Sequence, residues 1–220
     1  MSINFNKKKV LVIGLGETGQ SALHFLANKE CDIQAIDTRP TIDNFETIKE
    51  KFKDVKFSIR EKFNDGIIND IELIIISPGV SLRESYLQTA LNRGIPVIGD
   101  IEMFAQVKSV SSKVIGITGS NGKTTVTSLV GDLLKAAGIS TIVGGNIGIP
   151  ILNTLNQKVP EVYVLELSSY QLESTYSLAL ETAAILNISE DHMDRYGSME
   201  EYAKAKYRIF NLAKNIILNR

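Results

Sequence analysis

The chain has a single cysteine, Cys31, in 220 residues, so neither an internal disulfide framework nor a cysteine zinc site can form within it. Histidine is equally scarce: with only His24 and His192 there is no HxxxH spacing, and a zinc motif of that kind is excluded as well. No apolar run approaches the ~20 residues of a membrane span, and the opening MSINFNKKKV leads into a strand rather than a signal peptide. Excess charge of either sign is also missing. A net charge of -1 and a pI near 6.2 provide no field for nucleic acid or an anionic membrane, and Lys7–Lys9 reads as a solvated strand entrance. These absences predict a cytoplasmic protein with no nucleic-acid and no membrane partner. Internal repeats and low-complexity tracts are absent too.

What remains is 44% apolar and 22% charged, the profile of a globular chain with room for one large domain or two modest ones. Short β-branched runs at 10–14, 33–37, 71–77 and 96–99 alternate with helix-length segments at 21–29 and 83–93. That βαβ rhythm predicts a mostly parallel sheet with helices on its faces, because parallel neighbours need crossovers. A polar stretch, KSVSSK at 108–113, then suggests a domain boundary, giving units 1–110 and 111–220. The second unit reads as strands at 113–118, 140–145, 162–167 and 183–188, with a further one in NIILNR at 215–220. Ser198 with Glu201 three residues later marks a capping box, predicting a helix to about Lys214.

ITGSNGKTT at 117–125 is the most informative segment. A glycine-rich turn ends in Gly-Lys-Thr between a strand-like run and a segment with Val126, Leu129, Val130, Leu133 and Leu134 at helical spacing. A helix N-terminus there would offer amides and a positive dipole end to an anion through Gly119, Ser120, Asn121, Gly122 and Thr125. Lys123 could reach terminal phosphates and the Thr124 hydroxyl could ligate Mg2+, so the turn predicts an ATP site. The strict pattern wants glycine where Ile117 stands.

The first unit carries a second phosphate turn. Gly14, Gly16 and Gly19 form GLGETG after the first strand, and Asp37 ends the second strand 23 residues after Gly14. These are parts of a dinucleotide fingerprint, yet Arg39 complicates an NAD reading, and any diphosphate, including a nucleotide-sugar, fits the geometry equally. Ser77, Pro78 and Gly79 follow the strand IELIII at the strand end where α/β sheets bind ligands, although Pro-Gly is also an ordinary turn.

Three further residues invite chemistry. Glu166 lies within the apolar strand VYVLELSS, where a carboxylate needs Mg2+ or a basic partner. His192, in DHMD, follows another strand and is compatible with a structural role or with metal binding. Lys206 shares a helical face with Tyr202, Ala203, Ile209, Phe210 and Ala213. It must snorkel to solvent or find deprotonation, an anionic partner or chemical conversion.

The blocks GLGETGQSA, DTR, SPG, GDIEMF, TGSNGKTT, GGNIGIP, ELSSYQLE and NISEDHMDRYGSMEEYAKAK, spanning nearly the whole chain, resemble the Mur ligases, ATP-dependent amino-acid ligases of peptidoglycan synthesis. The ELSSYQLE block and the first glycine turn are most similar to the branch that adds D-glutamate to UDP-N-acetylmuramoyl-L-alanine. The resemblance implies a Rossmann-like UDP-binding domain followed by part of a P-loop ATPase-like α/β domain. It implies Gly16, Glu17 and Thr18 near a diphosphate, and Asp37, Thr38 and Arg39 near uridine. Lys123 would hold terminal phosphates, Thr124 and Glu166 one Mg2+ and His192 a second, with Asn146 and Ser168 placing substrate or metal-bound water. The lysine matching Lys206 is carbamylated in the family and serves as a metal ligand. Family members continue into a further central segment and a C-terminal domain, so this chain is expected to be a piece of a longer enzyme and inactive alone. A nicotinamide dehydrogenase and a nucleotide-sugar binding module are the alternatives.

Overall fold

A computed structural model describes residues 3–59 and 65–219. The chain divides into two compact units, Met1–Asp100 and Ile101–Arg220.

In the first unit β1 (Lys9–Ile13), α1 (Glu17–Ala27), β2 (Asp32–Asp37), α2 (Phe45–Lys51), β3 (Lys56–Ile59), β4 (Leu73–Ile76), α3 (Ser85–Asn92) and β5 (Val97–Ile98) follow one another. The strands pair in the order β3-β2-β1-β4-β5, all parallel. Val12 on β1 lies opposite Ala35 on β2 and Ile75 on β4. β1 and β4 are buried on both faces, which is why VLVI and LIII are unbroken apolar runs instead of alternating ones. The chain winds outward from β1 through β2 to β3, then crosses back to β4. The strand ends of β1 and β4 therefore form the switch point where such sheets take ligands.

The second unit repeats this plan with α4 (Asp100–Val107), β6 (Lys113–Thr118), α5 (Lys123–Ala136), β7 (Thr141–Gly145), β8 (Val162–Glu166), α6 (Ser169–Glu173), β9 (Leu180–Ile185), α7 (Met199–Tyr207) and β10 (Ala213–Leu218). Its order is β10-β9-β6-β8-β7, again all parallel. The loops after β6, β8 and β9 thus leave the sheet side by side.

The division falls after Asp100, earlier than the boundary at 110 suggested by the polar stretch. The cause is α4, whose Phe104 ring meets Tyr163 edge-on with centroids 4.8 Å apart. Its buried Glu102 accepts from the Tyr176 and Ser177 amides at 2.7 and 2.8 Å, and from the Ser177 hydroxyl and Gln106 side chain at 2.6 and 2.7 Å. The last predicted helix is also shorter than expected. α7 stops at Tyr207, a 3-10 turn covers Arg208–Leu212, and the strand begins at Ala213; Arg220, the end of the predicted strand, lies outside the described residues. Of the predicted capping box, Ser198 Oγ accepts from the Glu201 amide at 3.2 Å, while Glu201 Oε2 turns to the Gly197 amide at 3.0 Å. On α5 only part of the apolar set is buried. Val126, Val130 and Leu134 pack on the sheet, whereas Leu129 and Leu133 are 55% and 60% exposed. No helix of the described residues is long and apolar enough to cross a membrane.

Candidate active site

The turn between β6 and α5 is built around two glycines in the left-handed half of backbone space, Gly119 (φ 156°) and Gly122 (φ 78°). At Gly119 a Cβ would stand 3.2–3.4 Å from the Leu186 and Asn187 atoms, so the loop after β9 lies directly against the turn. That loop also fixes it. Asn187 Oδ1 accepts from the Asn121 amide at 2.8 Å, and its Nδ2 donates back to Asn121 O at 2.9 Å. The buried Ser120 hydroxyl donates to Ser189 O and accepts from Ser189 N, both at 2.9 Å, and lies 3.1 Å from the Tyr202 hydroxyl. Sequence reasoning passed over Asn187 and Ser189; the signal was two short polar residues just past an apolar strand. Lys123 opens α5 and folds its ammonium onto Ser120 O at 2.9 Å. Thr125 is exposed on the helix's first turn.

Glu166, at the end of β8, is 2% exposed and meets this turn directly. Its Oε2 accepts from Thr124 Oγ1 at 2.8 Å and its Oε1 from Asn146 Nδ2 at 3.0 Å. Asn146 reaches it because β7 closes tightly on β8: Gly145 has φ 98°, and a Cβ there would be 2.2 Å from Glu166 O. The Asn146 amide also donates to that carbonyl, at 2.8 Å. The carboxylate is therefore satisfied by neutral donors, so the alternative of a direct ion pair is not what the protein builds. Ser168 follows as the N-cap of α6, in a capping box with Gln171.

Lys206 does not snorkel. It is 1% exposed, and its ammonium donates to Gly119 O at 2.8 Å and lies 4.6 Å from the Tyr202 ring centroid. Burial, reinforced by the nearby Lys123 charge and opposed by Asp191 and Glu166, lowers its pKa from the ordinary 10.5 to about 8. Lys123, Glu166, Asp191 and Lys206 thus share one electrostatic neighbourhood. His192 lies on an exposed turn with φ 56°, its Nε2 3.4 Å from Asp191 Oδ2 and its ring centroid 4.9 Å from that of Tyr170.

A single buried carboxylate and a hydroxyl beside a phosphate-type turn suit Mg2+, which takes few protein oxygens and completes its shell with phosphate and water. Among the described residues no three His, Cys, Asp or Glu side chains gather as a closed metal cage. Lys206 in its ammonium form donates a hydrogen bond and cannot ligate a cation.

In the first unit the glycine turn is equally tight. A Cβ on Gly14 (φ 95°) would sit 2.6 Å from Ser77 Oγ, and one on Gly19 would sit 1.8 Å from Gly14 O. Gly16 is the N-cap of α1 with open space above it, and Glu17 and Thr18 begin the helix. Ser77 Oγ donates to Gly14 O at 3.2 Å, tying the SPG turn of Pro78 and Gly79 to the glycine turn. Asp37 is not free to hold a ribose as a dinucleotide reading would require. Its Oδ2 accepts from the Leu15 amide and Arg39 Nη2, both at 2.7 Å, and its Oδ1 from Arg39 N and Nε, both at 2.9 Å. Burial alone would raise its pKa, but the Arg39 hydrogen bonds and the Leu15 amide hold it below the usual carboxylate value. Thr38 stands between these two, just past the end of β2.

A Rossmann-like unit followed by a P-loop-like one, each with a glycine-rich turn between its first strand and the following helix, defines the α/β class of the protein. Sequence comparison narrows the class: the Mur ligase MurD-like, N-terminal domain matches residues 8–99 and the Mur ligase middle domain matches residues 117–220. The chain belongs to the Mur ligase family.

Its relatives include proteins named UDP-N-acetylmuramoylalanine--D-glutamate ligase from Methylobacillus flagellatus, 49% identical over 99% of this chain and 48% of that protein, and from Pasteurella multocida, 46% identical over 100% and 49%. The chain thus spans about half the length of these curated relatives. Among solved structures, the fold matches UDP-N-acetylmuramate:L-alanyl-gamma-D-glutamyl-meso-diaminopimelate ligase from Neisseria meningitides with a TM-score of 0.58 at 19% identity, covering 97% of this chain and 71% of that one. It also matches UDP-N-acetylmuramate-alanine ligase from Thermotoga maritima with a TM-score of 0.51 at 20% identity, over 96% and 49%.

Proposed function

We propose that this chain is the part of an ATP-dependent ligase that binds UDP-N-acetylmuramoyl-L-alanine and ATP, for the joining of D-glutamate to the former. The observation that carries this reading is the Thr124–Glu166–Asn146 chain of hydrogen bonds against the Lys123 turn, in a sequence whose relatives with that name are 43–49% identical. In the first unit, the α1 N-terminus with Gly16, Glu17 and Thr18 receives the diphosphate, with Ser77, Pro78 and Gly79 beside it. Arg39, held by Asp37, and Thr38 meet the uridine.

In the second unit the amides of Gly119 to Thr125 cradle the ATP phosphates, and the Lys123 ammonium moves from Ser120 O to the terminal ones. Thr124 and Glu166 hold one Mg2+; His192 and a carbamylated Lys206 hold a second. Bound there, these ions neutralise charge on the transferring phosphoryl group. The substrate's alanyl carboxylate takes the γ-phosphoryl group, giving an acyl phosphate, and the D-glutamate amine then displaces phosphate from it. Asn146 and Ser168 orient that carboxylate. Carbamylation adds CO2 to the neutral Lys206 amine with loss of one proton, turning a buried donor into an anionic ligand. The protein's part is mainly alignment and charge stabilisation.

Nothing supports a nicotinamide dehydrogenase: the carboxylate that would take the ribose is committed to Arg39 and Leu15. Calorimetry with UDP-N-acetylmuramoyl-L-alanine, UDP and NADH tests the assignment. The first should bind best, and tighter binding of NADH would overturn the reading.

A further inference from the structure

We propose that Arg195 is a positioning residue for His192, acting through Tyr170; the inference rests on the reading of His192 as a ligand of the ATP-site metal. His192 needs such help. It sits on an exposed turn in the left-handed region (φ 56°), a conformation costly for a residue with a Cβ, and its own carbonyl accepts the Arg195 and Tyr196 amides at 3.0 and 3.1 Å.

Tyr170 supplies the platform. It belongs to α6, a short helix fastened at both ends, by the Ser168–Gln171 capping box and by Arg208, which donates to Leu172 O at 2.8 Å and Thr175 O at 3.2 Å. The Tyr170 ring also stacks on Tyr196 with centroids 6.0 Å apart. Arg195 then ties the histidine turn to this helix twice over. Its Nη2 pairs with Glu173 Oε2 at 3.2 Å, with the two side chains only 11% and 22% exposed, and its guanidinium carbon lies 4.0 Å from the Tyr170 ring centroid. A planar guanidinium makes both contacts at once, which an ammonium cannot match. The imidazole, 4.9 Å from the same ring, is thereby held against a fixed surface.

The test uses histidine-ring NMR of the 220-residue chain, whose second histidine, His24, lies in the first unit beside Phe52 and serves as an internal reference. Arg195→Gln should move the His192 ring signals toward those of an unstructured histidine and leave His24 unchanged; Arg195→Lys should retain part of the native shift. Tyr170→Leu should produce the same displacement and stands in if Arg195→Gln does not fold. In the complete enzyme, Arg195→Gln should lower kcat and raise the half-saturating Mg2+ concentration by about 10–100-fold, the usual effect of losing a residue that orients a metal ligand. KM for the UDP-substrate should stay unchanged and Arg195→Lys should recover part of the loss. Unmoved His192 signals, or a loss confined to thermal stability or to KM for the UDP-substrate, would overturn the proposal. A wild-type complete enzyme that forms no ADP would instead sink the ligase reading, while the His192 signals would still decide the positioning role.

Discussion

The Thr124 hydroxyl donates to Glu166 across 2.8 Å, joining the first turn of α5 to the end of β8. A glycine-rich turn and a buried carboxylate 42 residues apart in sequence are thus neighbours in the folded unit. The isosteric change Glu166→Gln keeps the volume and the packing but removes the charge. It should leave the far-ultraviolet circular dichroism of the chain unchanged and cut Mg2+-dependent ATP turnover in the complete enzyme at least about 100-fold, the scale of losing a metal-ligating or charge-stabilising group. Turnover within a few-fold of wild type would remove Glu166 from the metal site.

Gly145 makes that arrangement possible, and its replacement should be costly. With φ 98° and a Cβ that would meet Glu166 O at 2.2 Å, Gly145→Ala combines backbone strain with a clash against main chain that cannot step aside. We expect a loss of about 3 kcal/mol or more, read from urea unfolding midpoints. A change below about 1 kcal/mol would mean that β7 relaxes away from β8.

Much of this was legible from the residues. The strand-turn-helix at 117–125 was legible because two glycines and Lys123 stand between an apolar run and a helix-spaced one, and Lys206 stood out as a cation among Tyr202 and Ile209. Less legible was everything decided by tertiary partners. Nothing local in Asp37 says that Arg39 and the Leu15 amide consume both of its oxygens, and nothing in Leu129 and Leu133 says that their side of α5 is uncovered. The helix end after Tyr207 was missed because Ile209 and Phe210 continue the apolar spacing although the chain has tightened into a 3-10 turn.

Lys206 makes stability depend on pH in a stated direction. Its folded pKa of about 8 lies below the ordinary 10.5, so the unfolded chain binds more protons between those values and stability from this group rises with pH across that window. Lys206→Met should therefore be more stable than wild type near pH 7.5, with the difference shrinking as pH approaches 10. Comparing the urea midpoints of the two proteins at each pH isolates the Lys206 contribution. A difference constant with pH would mean that the ammonium is not penalised by burial.

Asp37, whose pKa is also lowered, likewise makes stability rise with pH, but in the acid range and because its charged form is stabilised rather than penalised. Its pKa is held below 3.8, so its contribution is present above that value and lost as pH falls through the folded one. Asp37→Asn should remove this acid-side dependence and, by releasing Arg39, weaken UDP-substrate binding roughly tenfold, the equivalent of one lost charge-assisted hydrogen bond. Calorimetry showing undiminished affinity would mean that Arg39 needs no anchor.

The central claim is that two separate phosphate sites serve one ligation, and ADP release by the complete enzyme measures it most directly. Sustained ADP release should require both UDP-N-acetylmuramoyl-L-alanine and D-glutamate, because without the amine the acyl phosphate is not consumed and ADP stops at a single turnover. Lys123→Ala should abolish its release while leaving UDP-substrate affinity within a few-fold of wild type, because the proposed UDP site is built from residues of the first unit alone. Sustained ADP release that ignores D-glutamate, or a Lys123→Ala protein that loses UDP-substrate affinity as strongly as Gly16→Val does, would contradict the account.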